Sequence, residues 1–319
     1  MWKVALIVMA LLLLANCDTN QSNQGILNPN DNESAFLNRE WNPLSMDLKR
    51  NPISNAAEKA QQYLQDGMLY VHSFNFTYVN LGDDMVPIHE YSHGLFYNPV
   101  EISCFSFSFW RDYHTHGDEF YINGFRACAD FLVDWMTEDG YMPYYFDWGH
   151  YPCADLPSPW VSGMAQGQNL ATLSRAYHHF GEDKYLQAMN KIYRTMYSNI
   201  GDFWVVGFEN DYYWIEEYPS PNFCHVLNGM MYALWGLWDY YAVTGEIGAL
   251  RLLEAGIRSI IDHHMDWNMP GENMTTYCTG RNYATSESYD SYHRILITRF
   301  NERFQIPELL EVLQDWEQL

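Results

Sequence analysis

Two adjacent glutamates end an aromatic run in the stretch YYWIEEYPSPN, residues 212–222. A carboxylate among aromatic rings loses hydration, which raises its pKa, and Glu216 would raise the pKa of Glu217 further by like-charge repulsion. A carboxyl group with a pKa near neutrality can act as a general acid or base. Two prolines follow, so Glu217 and Tyr218 are expected to be held in fixed directions. The alternative is a solvated acidic loop.

Three further polar patches stand at comparable places along the chain: YNPVEIS, SGMAQGQNLATLSRAY and TTYCTGRNYATSESYDSYHR. Each lies just before, or in the first turns of, a predicted apolar helix. We therefore expect the four patches to meet at one end of the fold and to form a binding site. The alternative is that they only cap helices. The candidate substrate-binding residues are Tyr97, Asn98, Gln166, Gln168, Glu216 and Asn228.

An internal repeat of 64 residues organises the chain. Tyr113, Tyr177 and Tyr241 are spaced by 64 residues, and so are three glycines that follow them, Gly117, Gly181 and Gly245. These glycines stand where the end of a helix requires positive φ. A weaker fourth copy, in ITRFNERFQIPELLEVLQDW, is displaced by about one residue.

Each copy contains an apolar helix, a short turn and an amphipathic helix. VLNGMMYALWGLWDYYAV has almost no polar face and is expected to be buried nearly all round, whereas IGALRLLEAGIRSIIDHH is amphipathic. Inner helices enclosed by outer helices predict a mainly α fold, an α/α barrel or toroid of about four helical hairpins. The long connecting segments are expected to form β-hairpins and loops around one mouth.

Composition and charge exclude several classes of function. The 319 residues carry 40 acidic against 17 basic side chains, a formal net charge of −23, which argues against nucleic-acid binding. The 12 histidines do not fall at metal-ligand spacings, and there is no nucleotide-binding loop or nucleophilic serine motif. We therefore predict no cofactor and no metal.

The N-terminus is typical of an export signal. Residues 1–17 contain a short apolar run and the stretch LLANC, which resembles a bacterial lipoprotein cleavage box with Cys17 as the lipidated residue; a plain export signal is the alternative. Residues 18–52 read as a polar tether and residues 53–319 as the catalytic domain. We expect an exported protein anchored in a membrane, facing the periplasm or the cell exterior. Five cysteines remain, which permit one disulfide without requiring it.

The motifs SGMAQGQNLATLSRAY, WIEEYPSPNFCHVLNGMMYALWGLWDYY and the terminal Tyr-His pair resemble the C-terminal helical domain of the D-glucuronyl C5-epimerases. The resemblance covers roughly residue 97 to the C-terminus. It implies catalytic roles for Glu217, Tyr218, Tyr277 and Tyr292, with Arg281 and His293 also in the site. The sequence before Tyr292 departs from the vertebrate enzymes, which carry Arg-Trp-Asp where this chain has Tyr289, Asp290 and Ser291.

The resemblance implies a reaction at a uronate in a polysaccharide such as heparin or heparan sulfate. The net charge of −23 argues against a sulfated chain and favours a less charged, uronate-containing exopolysaccharide. A base removes the C5 proton, the sugar carboxylate takes up the charge, and an acid returns a proton to the other face. Neither nicotinamide nor metal is needed. A polysaccharide lyase on the same scaffold, a glycosidase using the glutamates, and a glycan-binding surface lipoprotein stay open as alternatives. A homodimer is also left open.

Overall fold

The computed structural model describes residues 39–45, 53–69, 79–81, 84–149, 155–209, 212–220, 223–269, 271–279 and 286–317. Cys17 and Arg281 lie outside these ranges. Within them the fold is mainly helical, as predicted. The α-helices are α1 Ala56–Gln65, α2 Pro99–His116, α3 Glu119–Trp135, α4 Gly163–Phe180, α5 Asp183–Thr195, α6 Leu227–Thr244, α7 Ile247–His263, α8 Glu287–Phe304 and α9 Glu308–Glu317. Short 3-10 helices cover Pro43–Ser45 and His264–Trp267.

The helices from α2 onward form four consecutive hairpins. Helix α2 packs on α3, α4 on α5, α6 on α7 and α8 on α9, and the first helices of successive hairpins also touch, α2 with α4, α4 with α6 and α6 with α8. Helix α1 lies against α6 and α8. The predicted repeat is therefore a repeat of helical hairpins.

Each of the first three hairpins turns at the predicted glycine. Gly117, Gly181 and Gly245 have φ values of 69°, 67° and 72° and follow α2, α4 and α6. Each donates its backbone N–H to the carbonyl of the tyrosine four residues earlier, which ends the helix. In the fourth hairpin Gln305 takes this place with φ 55°. It follows Gly245 by 60 residues, four fewer than the repeat length of 64. The fourth copy is therefore displaced by about one helical turn, and the expected displacement of about one residue was wrong.

Helix α6 is the centre of the core. All residues from Leu227 to Tyr241 are buried, which confirms the prediction made from its missing polar face. It crosses α4 so closely that a Cβ at Gly167 would lie 2.2 Å from the Cα of Ala233, and a Cβ at Gly236 would lie 2.0 Å from the carbonyl oxygen of Gly167. Glycines at both positions let the two helices approach with backbone against backbone.

Short antiparallel strands join and precede the hairpins. They are β1 Arg39–Glu40, β2 Val79–Leu81, β3 Pro87–Tyr91, β4 Gly94–Phe96, β5 Pro143–Tyr144, β6 Trp160–Val161, β7 Ser198–Asn199, β8 Val206–Glu209 and β9 Tyr212–Ile215. Strands β2, β3 and β4 form one sheet, and β5–β6, β8–β9 and β1–β7 form pairs. Strand β9 pairs along its whole length with β8 and runs directly into Glu216.

Part of the predicted tether lies on the helical body. Arg39 and Glu40 pair with β7, and the Trp41 ring stacks on Phe208 with centroids 5.9 Å apart. No helix in the described part of the chain is long and apolar enough to cross a membrane.

Candidate active site

The two glutamates follow β9 and pass between other elements of the core. The backbone N–H of Glu216 donates to the Val205 carbonyl at 2.7 Å, and its carbonyl accepts from the Gly163 N–H at 2.9 Å. Gly163 is the first residue of α4, and a Cβ there would lie 2.3 Å from the Glu216 carbonyl oxygen. The glycine thus lets the segment lie directly on the start of α4.

Glu217 is a buried carboxylate at the start of α6. It is 6% exposed, and a Cβ at Gly229 would lie 2.2 Å from its Oε2 atom. Burial, and then the charge of Glu216, raise the pKa of Glu217 to about 7, against a lowering by the Tyr218 hydrogen bond. The direction and both predicted causes are confirmed. The Oε2 atom is buried and accepts no hydrogen bond from the described residues.

Four phenols face this carboxylate. Tyr218 donates its hydroxyl proton to Glu217, and the negative charge of Glu217 is among the causes that raise the pKa values of Tyr218, Tyr144, Tyr289 and Tyr292. Burial is the largest cause for all four. These hydroxyls therefore stay protonated at neutral pH and can act as hydrogen-bond donors or as acids.

Tyr277 reaches the site through a backbone bridge. Cys278 pairs with Val226, just before α6, and this pairing sets Tyr277 beside the start of the helix. Burial raises the pKa values of both Tyr277 and Tyr289. The Tyr277 hydroxyl donates a hydrogen bond to the Tyr289 oxygen, and this bond raises the pKa of Tyr277 further and offsets part of the rise for Tyr289. The Tyr289 ring also lies 6.4 Å from the Tyr292 ring. The candidates from the third and fourth patches, Glu217, Tyr218, Tyr277 and Tyr292, are thus brought together.

His293 is a buried, neutral imidazole next to this group. Its Nδ1 lies 2.9 Å from the Thr275 hydroxyl, and burial lowers its pKa to about 4. Its ring is 6.1 Å from that of Tyr289, and its Nε2 atom is buried with no hydrogen bond to a described residue. It is placed as a neutral hydrogen-bonding group and not as a cation.

Two further candidates carry buried polar atoms that the described residues leave unbonded. Asn228, 5% exposed, lies next to Gly229 at the start of α6, and its Oδ1 has no donor. Gln168, 2% exposed, accepts a bond from the Cys104 thiol at 3.6 Å, while its Nε2 has no acceptor. Buried polar groups normally have partners, so these atoms are available to a ligand.

Other candidates are engaged in holding the fold. Gln166 bonds Met142, Gly140 and Thr195, which fixes the loop after α3. Asn98 caps α2, and its amide donates to the Tyr91 hydroxyl at 2.9 Å. Tyr97 packs against Phe131 and Trp135 of α3. Glu216 Oε2 accepts a hydrogen bond from the His225 backbone N–H at 3.1 Å, and its Oε1 lies 2.5 Å from His225 Nδ1.

Sequence reasoning missed Tyr144 and Tyr289 as members of the group. Tyr289 precedes Tyr292 by three residues on α8, so helical spacing placed the two on one face. Tyr144 comes from β5, and its ring stacks on Trp160 with centroids 4.0 Å apart and an angle of 11°. No spacing in the sequence connects it with Glu217, because β5 and β9 belong to different connecting segments.

No group of three or more histidine, cysteine or acidic side chains among the described residues is arranged to hold a metal ion. What the site contains is a buried carboxyl group that titrates near neutrality among protonated phenols. A carboxyl group and phenols in these protonation states can exchange protons with a bound ligand.

Residues 136–318 match the family described as D-glucuronyl C5-epimerase C-terminus. Over 164 residues the chain is 32% identical to a D-glucuronyl C5-epimerase of Caenorhabditis elegans. The aligned segment covers 47% of this chain and 25% of that protein. Over 114 residues it is 32% identical to an uncharacterized protein of Methanocaldococcus jannaschii, covering 34% of this chain and 37% of that one. The chain spans well under half of either relative. It belongs to the D-glucuronyl C5-epimerase family through this C-terminal domain.

Proposed function

We propose that this protein is a polysaccharide uronyl C5-epimerase. It would bind a uronate within a chain, remove the proton at C5 and return a proton to the opposite face. The C5–H electron pair moves toward the sugar carboxyl group, which becomes an aci-carboxylate until C5 is protonated again. The polysaccharide is neither cut nor oxidised, so the reaction consumes no co-reactant.

The observation that carries the proposal is the environment of Glu217. A glutamate with its ordinary pKa of 4.5 is a weak base. The pKa of about 7 gives this carboxylate more affinity for a proton while leaving a substantial fraction ionised at neutral pH. Glu217 is therefore the group we assign to removal of the C5 proton.

The phenols are suited to stabilise the intermediate and to return a proton to C5. Tyr218, Tyr277, Tyr289 and Tyr292 all have raised pKa values and remain protonated at neutral pH. Hydroxyls of this kind can donate hydrogen bonds to the developing aci-carboxylate, and one of them can deliver a proton to C5. We assign that delivery to Tyr292, which stands on a different element from Glu217. Arg281 stays a proposed partner of the sugar carboxylate.

The four hairpins would form an α/α toroid, with the starts of α2, α4, α6 and α8 around its open mouth. The net charge of −23 opposes densely sulfated polymers. We therefore propose an exopolysaccharide with sparse uronates, of glucuronate type, as substrate. The protein would be exported and held on a membrane by lipidated Cys17. The disulfide at Cys224 supports an oxidising compartment.

The experiment is incubation with a panel of glucuronate-containing polysaccharides in D2O, followed by NMR of the uronate residues. An epimerase gives iduronate-type C5 signals and deuterium at C5 with unchanged chain length. A lyase would instead shorten the chains and create an ultraviolet-absorbing unsaturated uronate. A glycan-binding protein without activity would retain the polymer and leave its C5 hydrogens untouched.

A further inference from the structure

A continuous row of aromatic rings leads from the candidate active site toward the protein surface. The ring of Tyr218, one of the phenols of the site, lies 6.0 Å from that of Trp160, and Trp160 lies 6.0 Å from Phe146. Phe146 in turn contacts Tyr91 at 4.7 Å and Trp148 at 6.2 Å between ring centroids. The row therefore extends beyond the group of residues around Glu217.

The inner rings of this row are buried, whereas its outer rings reach solvent. Trp160 and Phe146 are 8% and 4% exposed, while Tyr91, Phe96 and Trp148 are half-buried. The Phe96 ring lies 5.1 Å from Phe146 and 6.2 Å from Tyr91, and the Tyr91 ring lies 6.3 Å from Trp148. Tyr91, Phe96 and Trp148 thus stand side by side at the surface, and we call them the aromatic wall. An apolar face of this kind beside a candidate site suggests a bound partner.

Backbone and side-chain hydrogen bonds fix the wall in place. Tyr91 ends β3 and Phe96 ends β4, which are paired strands of one sheet. The Tyr91 hydroxyl accepts a hydrogen bond at 2.9 Å from the amide of Asn98, the residue that caps α2. The backbone of Trp148 exchanges two hydrogen bonds with Leu156, both 2.9 Å long. The rings are therefore held in position before any ligand binds.

The wall carries a hydrogen-bond donor without an acceptor among the described residues. The indole Nε1 of Trp148 is buried and has no partner there, whereas the Nε1 of Trp160 donates to the Phe146 carbonyl at 2.8 Å. Buried N–H groups normally have an acceptor. A ligand that lies on the wall can supply one.

The charge of the segments that form the wall selects against an anionic ligand. Residues 60–110 and 127–174 include every ring of the wall and contain no lysine or arginine. Glu90 and Asp147, each the neighbour of a wall residue in sequence, are both exposed. A sulfate or carboxylate group on the wall would be repelled by these carboxylates, whereas an uncharged ligand would not.

We propose that the aromatic wall binds an uncharged sugar unit of the polysaccharide, on one side of the uronate that reacts at Glu217. The faces of a pyranose carry C–H groups that pack on aromatic rings, and its edge carries hydroxyls, one of which accepts from Trp148 Nε1. The row of rings from Tyr218 to the wall connects this subsite with the reacting position. The substrate class is then a chain in which unsulfated, uncharged sugars stand next to the uronate. The inference rests on the proposed function, because it takes the uronate polymer as the ligand.

The test is calorimetric binding of two probes to the full chain. One probe is an unsulfated polymer of alternating glucuronate and N-acetylhexosamine, and the other is the same polymer after O-sulfation. We expect the parent to bind the unsulfated probe more tightly. Trp148→Ala should weaken this binding by about tenfold or more, and Trp148→Phe, which keeps a ring without the N–H, should weaken it less. Phe120→Ala removes a ring that is 54% exposed at the start of α3 and serves as the control with the parent Kd.

The outcomes separate this subsite from the reaction. Tighter binding of the sulfated probe, no binding of the unsulfated probe, or a parent Kd in folded Trp148→Ala would overturn the proposal. The comparison of the two probes uses the parent and does not depend on how any variant folds. Weaker binding in Trp148→Ala without C5 exchange by the parent would reject the proposed function and leave the subsite in place. Exchange by the parent with unchanged binding in Trp148→Ala would reject the subsite and leave the function in place.

Discussion

At the scale of single residues, the site depends on where side chains are missing as much as on where they are present. Gly163 and Gly229 stand at the starts of α4 and α6, and a Cβ at either position would strike the Glu216–Glu217 segment at 2.3 or 2.2 Å. The motifs SGMAQG and VLNG therefore belong with EEYP for a steric reason, because they are the two surfaces on which that segment lies. The same close contact keeps Glu217 from water and raises its pKa.

The raised pKa of Glu217 has a cost in stability whose sign can be checked. The folded state binds the proton up to about pH 7, whereas the unfolded state releases it near 4.5. Between these values the folded state holds more protons, so this group makes the free energy of unfolding fall as pH rises. The full shift corresponds to about 3 kcal/mol. Glu217→Gln is expected to be more stable than the parent above pH 7 by up to that amount and to match it below pH 4.5, as measured by urea unfolding. A variant less stable at pH 8 than the parent would contradict the assigned burial cost.

Tyr292→Phe tests the assigned proton donor. Loss of a general acid typically costs a factor of about 10² to 10⁴ in rate. We expect the conversion rate to fall by that order with little change in polymer binding, because the ring remains. Tyr145→Phe, at an exposed tyrosine beside Tyr144, is the matched control and should keep the parent rate. Equal rates in Tyr292→Phe and the parent would move the role to another phenol.

At the scale of elements, the 64-residue repeat places the site. It predicts the hairpins, the cap glycines and the buried character of α6, because these follow from helical spacing and from the φ value a glycine allows. It also brings the starts of α4 and α6 against the Glu216–Glu217 segment, where Glu217 lies close to Tyr289 and Tyr292 of α8. The repeat does not predict the position of Tyr144 or the contact between Glu216 and His225, because both depend on how separate loops fold over the starts of these helices. Such contacts cannot be predicted from local sequence patterns. Gln166 shows the opposite kind of error: its position in the repeat predicted a role in substrate binding, but its side chain bonds the loop after α3.

Two glycines on these elements test different physical roles. Gly167→Ala would place a methyl group 2.2 Å from backbone of α6, and overpacking of this kind costs about 1–3 kcal/mol or more. Gly245→Ala meets no atom within 4 Å and strains only its positive φ, at a cost of about 1–2 kcal/mol.

Thermal unfolding of both variants checks the comparison. We expect Gly167→Ala to lower both Tm and the conversion rate, because it separates the helices that carry Gln168 and Asn228. Gly245→Ala should lower Tm alone. Loss of activity in Gly245→Ala at temperatures where it is folded would show that the far ends of the helices also matter to the site.

At the scale of the whole molecule, a strongly acidic protein is proposed to act on an anionic polymer. The overall field opposes binding, so affinity has to come from local contacts such as the phenols, the buried amides and Arg281. Family membership is carried by residues 136–318, while β2–β4 and α2, which bring Tyr91 and Asn98 to the same end, precede the matched segment. The sequence could predict the family and, through it, the class of reaction that we propose. The choice of polymer depends on the shape of the assembled site.

The central claim is that Glu217 removes the proton from C5 of a uronate. It is tested most directly by the rate at which a polymer deuterated at C5 loses its label to water, measured with the parent protein and Glu217→Gln as a function of pH. The account predicts release that rises with pH to a plateau, with a midpoint near pH 7, and release in the variant reduced to background although it still binds the polymer. Label release by Glu217→Gln at the parent rate, or no release by the parent from any uronate polymer, would contradict it.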